Sequence, residues 1–394
     1  MDEQNLEANI ERNHAYILSE LDPEKETLLI AAGGTAGHIN PALAVAAELE
    51  AMKPELQLVF CGNIEGPEYN LVTRSGHYFY RVDAGPFEMS SLKFMLRAIG
   101  AFFVGRKDSR KIMRALNVTG VFGTGGYVMA PVISMARQRR IKTFLHEQNA
   151  YPGKSTRSFA GGADCVFVSY PETQDDFPRA KRVVYTGNPV AAGFFDKDRR
   201  SKARRKLGLS EKRRYVVATG GSLGAVTINH AIADLAERLR RNPSSTPYLI
   251  HLITGKRYYK EMQAILKDYP DLVKVSEYAY DMPDQLAAAD LVICRSGAGT
   301  CAELAAMEKA GILVPYPYAK GDHQTKNAAA FVENGAAILI PDQEISGIGL
   351  RTTLDELFLQ PEKLERMGQA AGELARPDAA RHIAREIIRE TERA

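Results

Sequence analysis

Four stretches of this 394-residue chain combine glycines, hydroxyls, carboxamides and a histidine in an order that suits an anionic, hydroxyl-rich ligand. The first is LLIAAGGTAGHINPALAVAAEL, where an apolar run ends at Gly33 and Gly34 and turns through Thr35, Gly37 and His38. A helix is expected to start near Asn40, with Pro41 in its first turn. Glycines let the backbone approach a ligand closely, and the unpaired N–H groups of a helix start favour an anion. His38 at such a turn is either a hydrogen-bonding turn residue or a base, since imidazole ordinarily titrates near neutrality. The second stretch, YVVATGGSLGAVTINHAI, repeats the device, with Gly220, Gly221 and Gly224 around Ser222. It reads as a cradle for a diphosphate or as a tightly packed turn, and its recurrence at an equivalent point of both halves favours the cradle. Neither turn has the GxGxxG or GK[ST] spacing of dinucleotide or P-loop sites.

The third stretch, ADLVICRSGAGTCAEL, leads through Ser296, Gly297 and Gly299 into a helix bearing Glu303. That carboxylate either complements the helix dipole or accepts both hydroxyls of a ribose. In the fourth, ILVPYPYAKGDHQTKNAAAF, Gln324 and Asn327 stand three apart and share one helix face. Carboxamides donate and accept at once, which suits sugar hydroxyls. Together the last three stretches read as a nucleotide-sugar site.

The elements that must position these residues alternate between short apolar runs and helical periods, the pattern of parallel-sheet α/β architecture. Strands are expected at Thr27–Ala32, Gln57–Cys61, Val118–Phe122, Lys142–Leu145, Cys165–Val168 and Val183–Thr186, then at Tyr215–Thr219, Tyr248–Ile253, Val273–Ser276, Leu291–Cys294, Ile312–Pro315 and Ala337–Ile340. Helical periods fall between them, as at Pro41–Met52, Ala225–Arg240 and Thr300–Met307. The charged run from Phe195 to Arg214 reads as a linker with a short solvated helix. The expected division is a frayed or loosely docked extension over 1–26, a first domain over 27–190, a linker over 191–214, a second domain over 215–375 and a closing helical segment over 376–394. Ligands of such sheets bind beyond the carboxyl ends of the strands, so the expected site is a cleft between two Rossmann-like halves.

Apolar content of 45% and charged content of 25% are those of a globular protein, and a net charge of +3 gives no reason to expect nucleic acid. No apolar run reaches the ~18 residues of a membrane span, and the acidic start does not read as a signal peptide. Cys61, Cys165, Cys294 and Cys301 form no CxxC pair and read as reduced, buried thiols of a cytoplasmic protein. No DxD-type metal site is legible and no cofactor is expected.

The segments GGTAGHINPALAVAAEL, GTGGYVMAP, FLHEQNAYPGKSTR, YTGNPV, TGGSLGAVTIN, CRSGAGTCAEL and PYPYAKGDHQTKNA, in that order from about residue 27 onward, resemble the MurG family of peptidoglycan N-acetylglucosaminyltransferases. The resemblance implies the GT-B fold, in which the last helix crosses back to the first domain. It implies transfer of GlcNAc from UDP-GlcNAc to O4 of the MurNAc in lipid I, with inversion. It puts the UDP diphosphate on Ser222, Gly221 and Gly224, the ribose on Glu303, the GlcNAc hydroxyls on Gln324 and Asn327, and uracil near Ala279 in the Tyr278–Met282 segment. Thr35, Gly37 and Asn149 join the donor contacts. Gly34, Gly125, Gly126, Tyr127, His146 and Glu147 face the acceptor, and His38 is the candidate base. Two residues depart from the pattern. Ala36 replaces a family glycine, at an expected cost of about 1 kcal/mol if the position has positive φ. Ala191 replaces the arginine of GNPVR, for which Lys256 is a candidate substitute. The rival readings are a different lipid-acceptor GT-B transferase, a UDP-sugar epimerase or hydrolase, and a non-catalytic sensor.

Between Phe87 and Arg114, Phe94, Met95, Ile99, Phe102, Phe103 and Val104 mix with Lys93, Arg97, Arg106, Lys107, Arg110 and Lys111. The run reads as a helix packed in its own domain with a charged face, or as a surface for an anionic membrane. A polyprenyl-diphosphate acceptor, implied by the resemblance, favours the second reading and a peripheral place on the cytoplasmic face of the cell membrane.

Overall fold

The apolar runs become two all-parallel sheets in the computed structural model, which describes residues 13–85, 92–196, 198–221, 223–244 and 248–393. The first holds β1 (Glu26–Ala31), β2 (Gln57–Gly62), β3 (Tyr78–Arg81), β4 (Asn117–Gly123), β5 (Lys142–Glu147), β6 (Cys165–Val168) and β7 (Val183–Tyr185), in the order β3-β2-β1-β4-β5-β6-β7. The second holds β8 (Arg214–Thr219), β9 (Tyr248–Ile253), β10 (Val273–Ser276), β11 (Leu291–Cys294), β12 (Gly311–Leu313) and β13 (Ala337–Leu339), in the order β10-β9-β8-β11-β12-β13. In each sheet the order reverses beside the first strand, at β1/β4 and at β8/β11, where such sheets bind ligands.

Both faces of the first sheet are covered, which is why its strands read as continuous apolar runs. Leu28 and Ile30 join Phe60, Phe122, Phe144 and Phe167 in one layer. Leu29 and Ala31 join Val59, Val121, Leu145 and Val166 in the other. The last helix, Ala379–Glu392, adds Ala380, Ile383, Ala384 and Ile387 to the phenylalanine layer, a stripe at helical spacing. Chain contacts accordingly divide the molecule into one unit ending at Ala191 but including Asp378–Ala394, and a second unit, Ala192–Pro377. The four cysteines are free and buried.

The structure corrects four expectations. The extension is docked where it is described: residues 13–20 are helical, and Ile17 and Leu21 enter the core. The Asn13 side chain pairs with Phe79 O and Arg81 N on the outer edge of β3, at 3.4 and 3.1 Å, and so satisfies backbone groups that an edge strand leaves open. β3 itself, only YFYR, goes unread in the sequence. The charged run after Phe195 is fastened rather than solvated. Its helix, Arg199–Lys206, buries Arg204, which donates to Ala288 O at 3.0 Å, while Arg199 and Lys206 both hold Asp284 at 2.6 Å. Finally, the helix after β1 starts at Ala36 rather than Asn40, so Pro41 lies inside it. Ala36 is therefore helical, is not among the residues with positive φ, and the anticipated strain does not arise.

Candidate active site

In the first unit the turns after β1, β4 and β5 converge on His38. Thr35 stands extended before the helix without capping it, which places Gly37 and His38 in the first turn. The Thr124 hydroxyl, just beyond β4, donates to His38 O at 2.7 Å. Gly125 has φ +103°, and a Cβ there would lie 2.7 Å from His38 Nδ1, so only glycine lets the ring take this position. Beneath the Gly33–Gly34 turn sits Glu68, fully buried and absent from the sequence reading. Its carboxylate accepts from Gly34 N at 3.3 Å and from Asn63 N at 3.2 Å.

Gln148 sets the polarity of the site. Its Nε2 donates to Thr124 O at 2.6 Å, which turns Oε1 toward His38 Nδ1 at 3.2 Å. An amide oxygen only accepts, so Nδ1 carries the proton and Nε2 carries the lone pair of the neutral ring. The same Nε2–H₂ lies 3.0 Å from His146 Nδ1, so His146 accepts there and keeps its proton on Nε2, toward Gly187 O at 3.3 Å. Burial holds the His146 pKa down at about 4, so the ring stays neutral and the chain keeps this direction.

His146 and Glu147, expected to face a ligand, are instead buried supports. The Glu147 carboxylate accepts from Asn149 N and Nδ2 at 3.1 Å each and from Gly153 N at 3.0 Å, fixing the following loop. As neighbours on β5 the two point to opposite faces of a sheet covered on both sides, which buries both and which a motif string does not show. Gly34, Thr35, Gly37, Gly125, Gly126, Tyr127 and Asn149 do gather at these strand ends, so three of the donor candidates, Thr35, Gly37 and Asn149, lie in the first unit.

His146 carries a pH prediction. Above pH 6.5 neither folded nor unfolded chain protonates this ring. Below it the unfolded chain takes a proton that the folded chain refuses until about pH 4, so stability falls across that window by roughly 3 kcal/mol in all. His146→Asn is expected to flatten this part of the unfolding-temperature profile, measured from pH 7 to pH 4. An unchanged profile contradicts the assignment.

In the second unit the turn after β8 is built the same way. Gly221 and Gly224 have φ +78° and +75°, Gly221 N donates to Thr219 Oγ1 at 3.1 Å, and Gly224 N donates to Gly221 O at 3.0 Å. Ser222 lies outside the described residues. Lys256 is exposed one residue beyond Gly255, whose backbone packs on Gly224, so a cation stands beside this turn. Ala279 is nearly buried between Tyr278 and the exposed Tyr280, whose rings lie 4.7 Å apart. Glu303 is partly buried, and loss of water around its carboxyl raises its pKa to about 7. Gln324 Oε1 accepts from Tyr316 N at 2.9 Å. Asn327 is fully buried and donates to Ser296 O at 3.1 Å, so its amide supports the turn after β11 rather than facing a sugar. The shared helix face is legible from spacing; its depth is not. Arg295, also unread, donates to Val314 O and Pro315 O at 3.1 Å each and pairs with Asp342 at 2.5 Å, tying three strand ends together.

Two parallel α/β units, each with a glycine-built turn where its strand order reverses, have the architecture of the GT-B class. Models of the glycosyltransferase family 28 N-terminal and C-terminal domains match residues 28–168 and 215–383. A protein of Desulforudis audaxviator named UDP-N-acetylglucosamine--N-acetylmuramyl-(pentapeptide) pyrophosphoryl-undecaprenol N-acetylglucosamine transferase is 39% identical over 358 residues, covering 89% of this chain and 95% of the relative. A Bacillus thuringiensis transferase of the same designation, numbered 2, is 36% identical over 90% of this chain and 97% of its own. The Acinetobacter baumannii MurG structure has a TM-score of 0.70 at 28% identity, covering 93% of this chain and 99% of that one. The chain belongs to the MurG family. A UDP-GlcNAc 2-epimerase of Neisseria meningitidis, with a TM-score of 0.67 at 14% identity over 92% of this chain and all of its own, shares the fold alone.

Proposed function

We propose that this chain transfers GlcNAc from UDP-GlcNAc to O4 of the MurNAc of a polyprenyl-diphosphate-linked acceptor, lipid I, with inversion at the sugar carbon. The observation that carries the reading is the Gln148-fixed tautomer of His38, which puts a ring lone pair on Nε2 among glycine turns. The acceptor hydroxyl gives its proton to that nitrogen while its oxygen forms the new bond to the anomeric carbon. The bond from that carbon to UDP breaks with its electron pair going to the diphosphate. N–H groups of the turn after β8 and the start of helix Val226–Arg241 stabilise the charge that develops there. Lys256 supplies the cation that the family arginine gives at the position of Ala191. Glu303 takes the ribose, Gln324 the GlcNAc hydroxyls, and the Tyr278–Met282 backbone the uracil. Acceptor-dependent release of UDP from UDP-GlcNAc tests the reading.

The acceptor implies work at a membrane surface, for which helix Leu92–Ala115 offers a face. No described helix is long and apolar enough to cross a membrane. Residues 86–91 and the side chains of 92–94, Phe94 among them, lie outside the described residues. Further along, Leu96, Phe103 and Val104 are exposed, and at 100° per residue they share a stripe with exposed Lys107, Arg110, Lys111 and Arg114. Apolar side chains followed by cations along one stripe suit the acyl boundary and the anionic headgroups of a leaflet, here the cytoplasmic one. Changing Leu96 and Phe103 together to serine is expected to weaken binding to anionic vesicles at least about tenfold in a sedimentation assay. Undiminished binding contradicts this docking face.

A further inference from the structure

The described core of the second unit contains a buried polar system that the proposed chemistry does not use. Tyr215 on β8, His251 on β9 and Gln285 on helix Met282–Ala288 are each 2% exposed. They sit on the sheet face opposite the main apolar layer, which takes the alternate residues Val216, Ala218, Ile250 and Leu252. Apolar side chains would fill this space without the cost of desolvating three polar groups.

The hydrogen bonds of this system run in one direction. Gln285 Nε2 lies 2.9 Å from Asp281 Oδ2, and a carboxylate only accepts, so the amide nitrogen faces Asp281. Gln285 Oε1 therefore faces inward, where it accepts from Tyr215 Oη at 2.5 Å and from His251 Nδ1 at 2.9 Å. With its proton on Nδ1, His251 presents Nε2 as the acceptor, and Ser276 Oγ donates to it at 2.8 Å. Burial lowers the His251 pKa, which keeps the ring neutral and this order intact. The two ends of the system are Ser276, the last residue of β10, and Asp281, which precedes the next helix. Between them runs the segment Glu277–Tyr280, with Tyr278, Ala279 and Tyr280.

We propose that His251 and Gln285 are positioning residues that hold both ends of the segment reading the pyrimidine of a uridine nucleotide. The proposal rests on the donor reading given above and adds what fixes the loop: its start is held through Ser276 and His251, its end through Asp281 and Gln285. A loop that recognises a base through its backbone must keep its N–H and C=O groups in place without ligand, and buried hydrogen bonds at both ends do that.

Calorimetric titration of the full chain with UDP and with CDP, which differ at the pyrimidine 4-position, tests this together with steady-state kinetics. Gln285→Met keeps the side-chain volume and removes both hydrogen-bonding ends. It is expected to weaken UDP about tenfold, to narrow the preference for UDP over CDP, and to raise KM for UDP-GlcNAc with kcat within about twofold. His251→Phe is expected to match it. His251→Asn, whose amide nitrogen takes the place of Nδ1 toward Gln285, is expected to recover most of the affinity. Unchanged UDP affinity in Gln285→Met overturns the proposal, as does an equal loss for UDP and CDP or a fall in kcat at constant KM. If Gln285→Met does not fold, His251→Asn and His251→Phe decide in the same way. A wild-type chain that binds no UDP removes the donor reading and this proposal with it, whereas wild-type binding with an indifferent variant removes this proposal alone.

Discussion

Alanine in place of His38 is expected to lower acceptor-dependent release of UDP about a hundredfold or more while leaving the affinity for UDP unchanged. The base contribution rests on one ring nitrogen. Thr124 O fixes the Gln148 amide, Gln148 Oε1 fixes the proton on His38 Nδ1, and Nε2 is left with the lone pair. Truncation removes that nitrogen but not the local fold, because the Thr124 hydroxyl bonds the His38 carbonyl rather than its ring. UDP affinity is expected to stay because the truncation removes only the imidazole and leaves the groups proposed to hold UDP, on the turn after β8, at Glu303 and along Tyr278–Met282. A His38→Ala enzyme within a few-fold of wild type would place the base elsewhere. Gln148→Leu, which frees the tautomer but leaves the ring, is expected to fall between the two.

The second large effect is structural. Gly224→Ala is expected to destabilise the second unit by about 3 kcal/mol or more and to abolish measurable UDP binding. Gly224 has φ +75°, a conformation that costs an L-residue roughly 1–2 kcal/mol. The added Cβ would also lie 2.0 Å from Thr254 O, and backbone at the end of β9 cannot move aside as a side-chain end can. Relief would require the turn to part from β9, carrying the N–H groups at its crest away from a diphosphate. Chemical denaturation and UDP titration read the two consequences separately. Wild-type stability with wild-type affinity would mean that the turn is looser than this packing allows.

The sheets were largely legible because each covered strand must be apolar on both faces, which leaves runs such as LLIAA and LVIC that few other structures need. β3 escaped because YFYR is only four residues long, too short for a pattern to show that Tyr80 is buried against His14. The glycine turns were legible as turns, but not the start of the helix after β1, which opens at Ala36 rather than near Asn40. In the site, the glycine turns named His38 and Gly224, and the family resemblance named Gly125, but neither named what holds them. Glu68 lies 34 residues from Gly34 in sequence, and Arg295 pairs with Asp342 across 47. Contacts of that separation leave no periodicity to read. His146, Glu147 and Asn327 show the converse: polar residues expected to face a ligand, which the fold buries.

The most direct measurement is release of UDP from UDP-GlcNAc by the wild-type chain, with and without a soluble lipid I analogue. Release that depends on the analogue, with GlcNAc recovered on the MurNAc O4 in the inverted configuration, is the predicted result. Release that ignores the analogue, or interconversion of UDP-GlcNAc with its 2-epimer, would contradict the transferase reading.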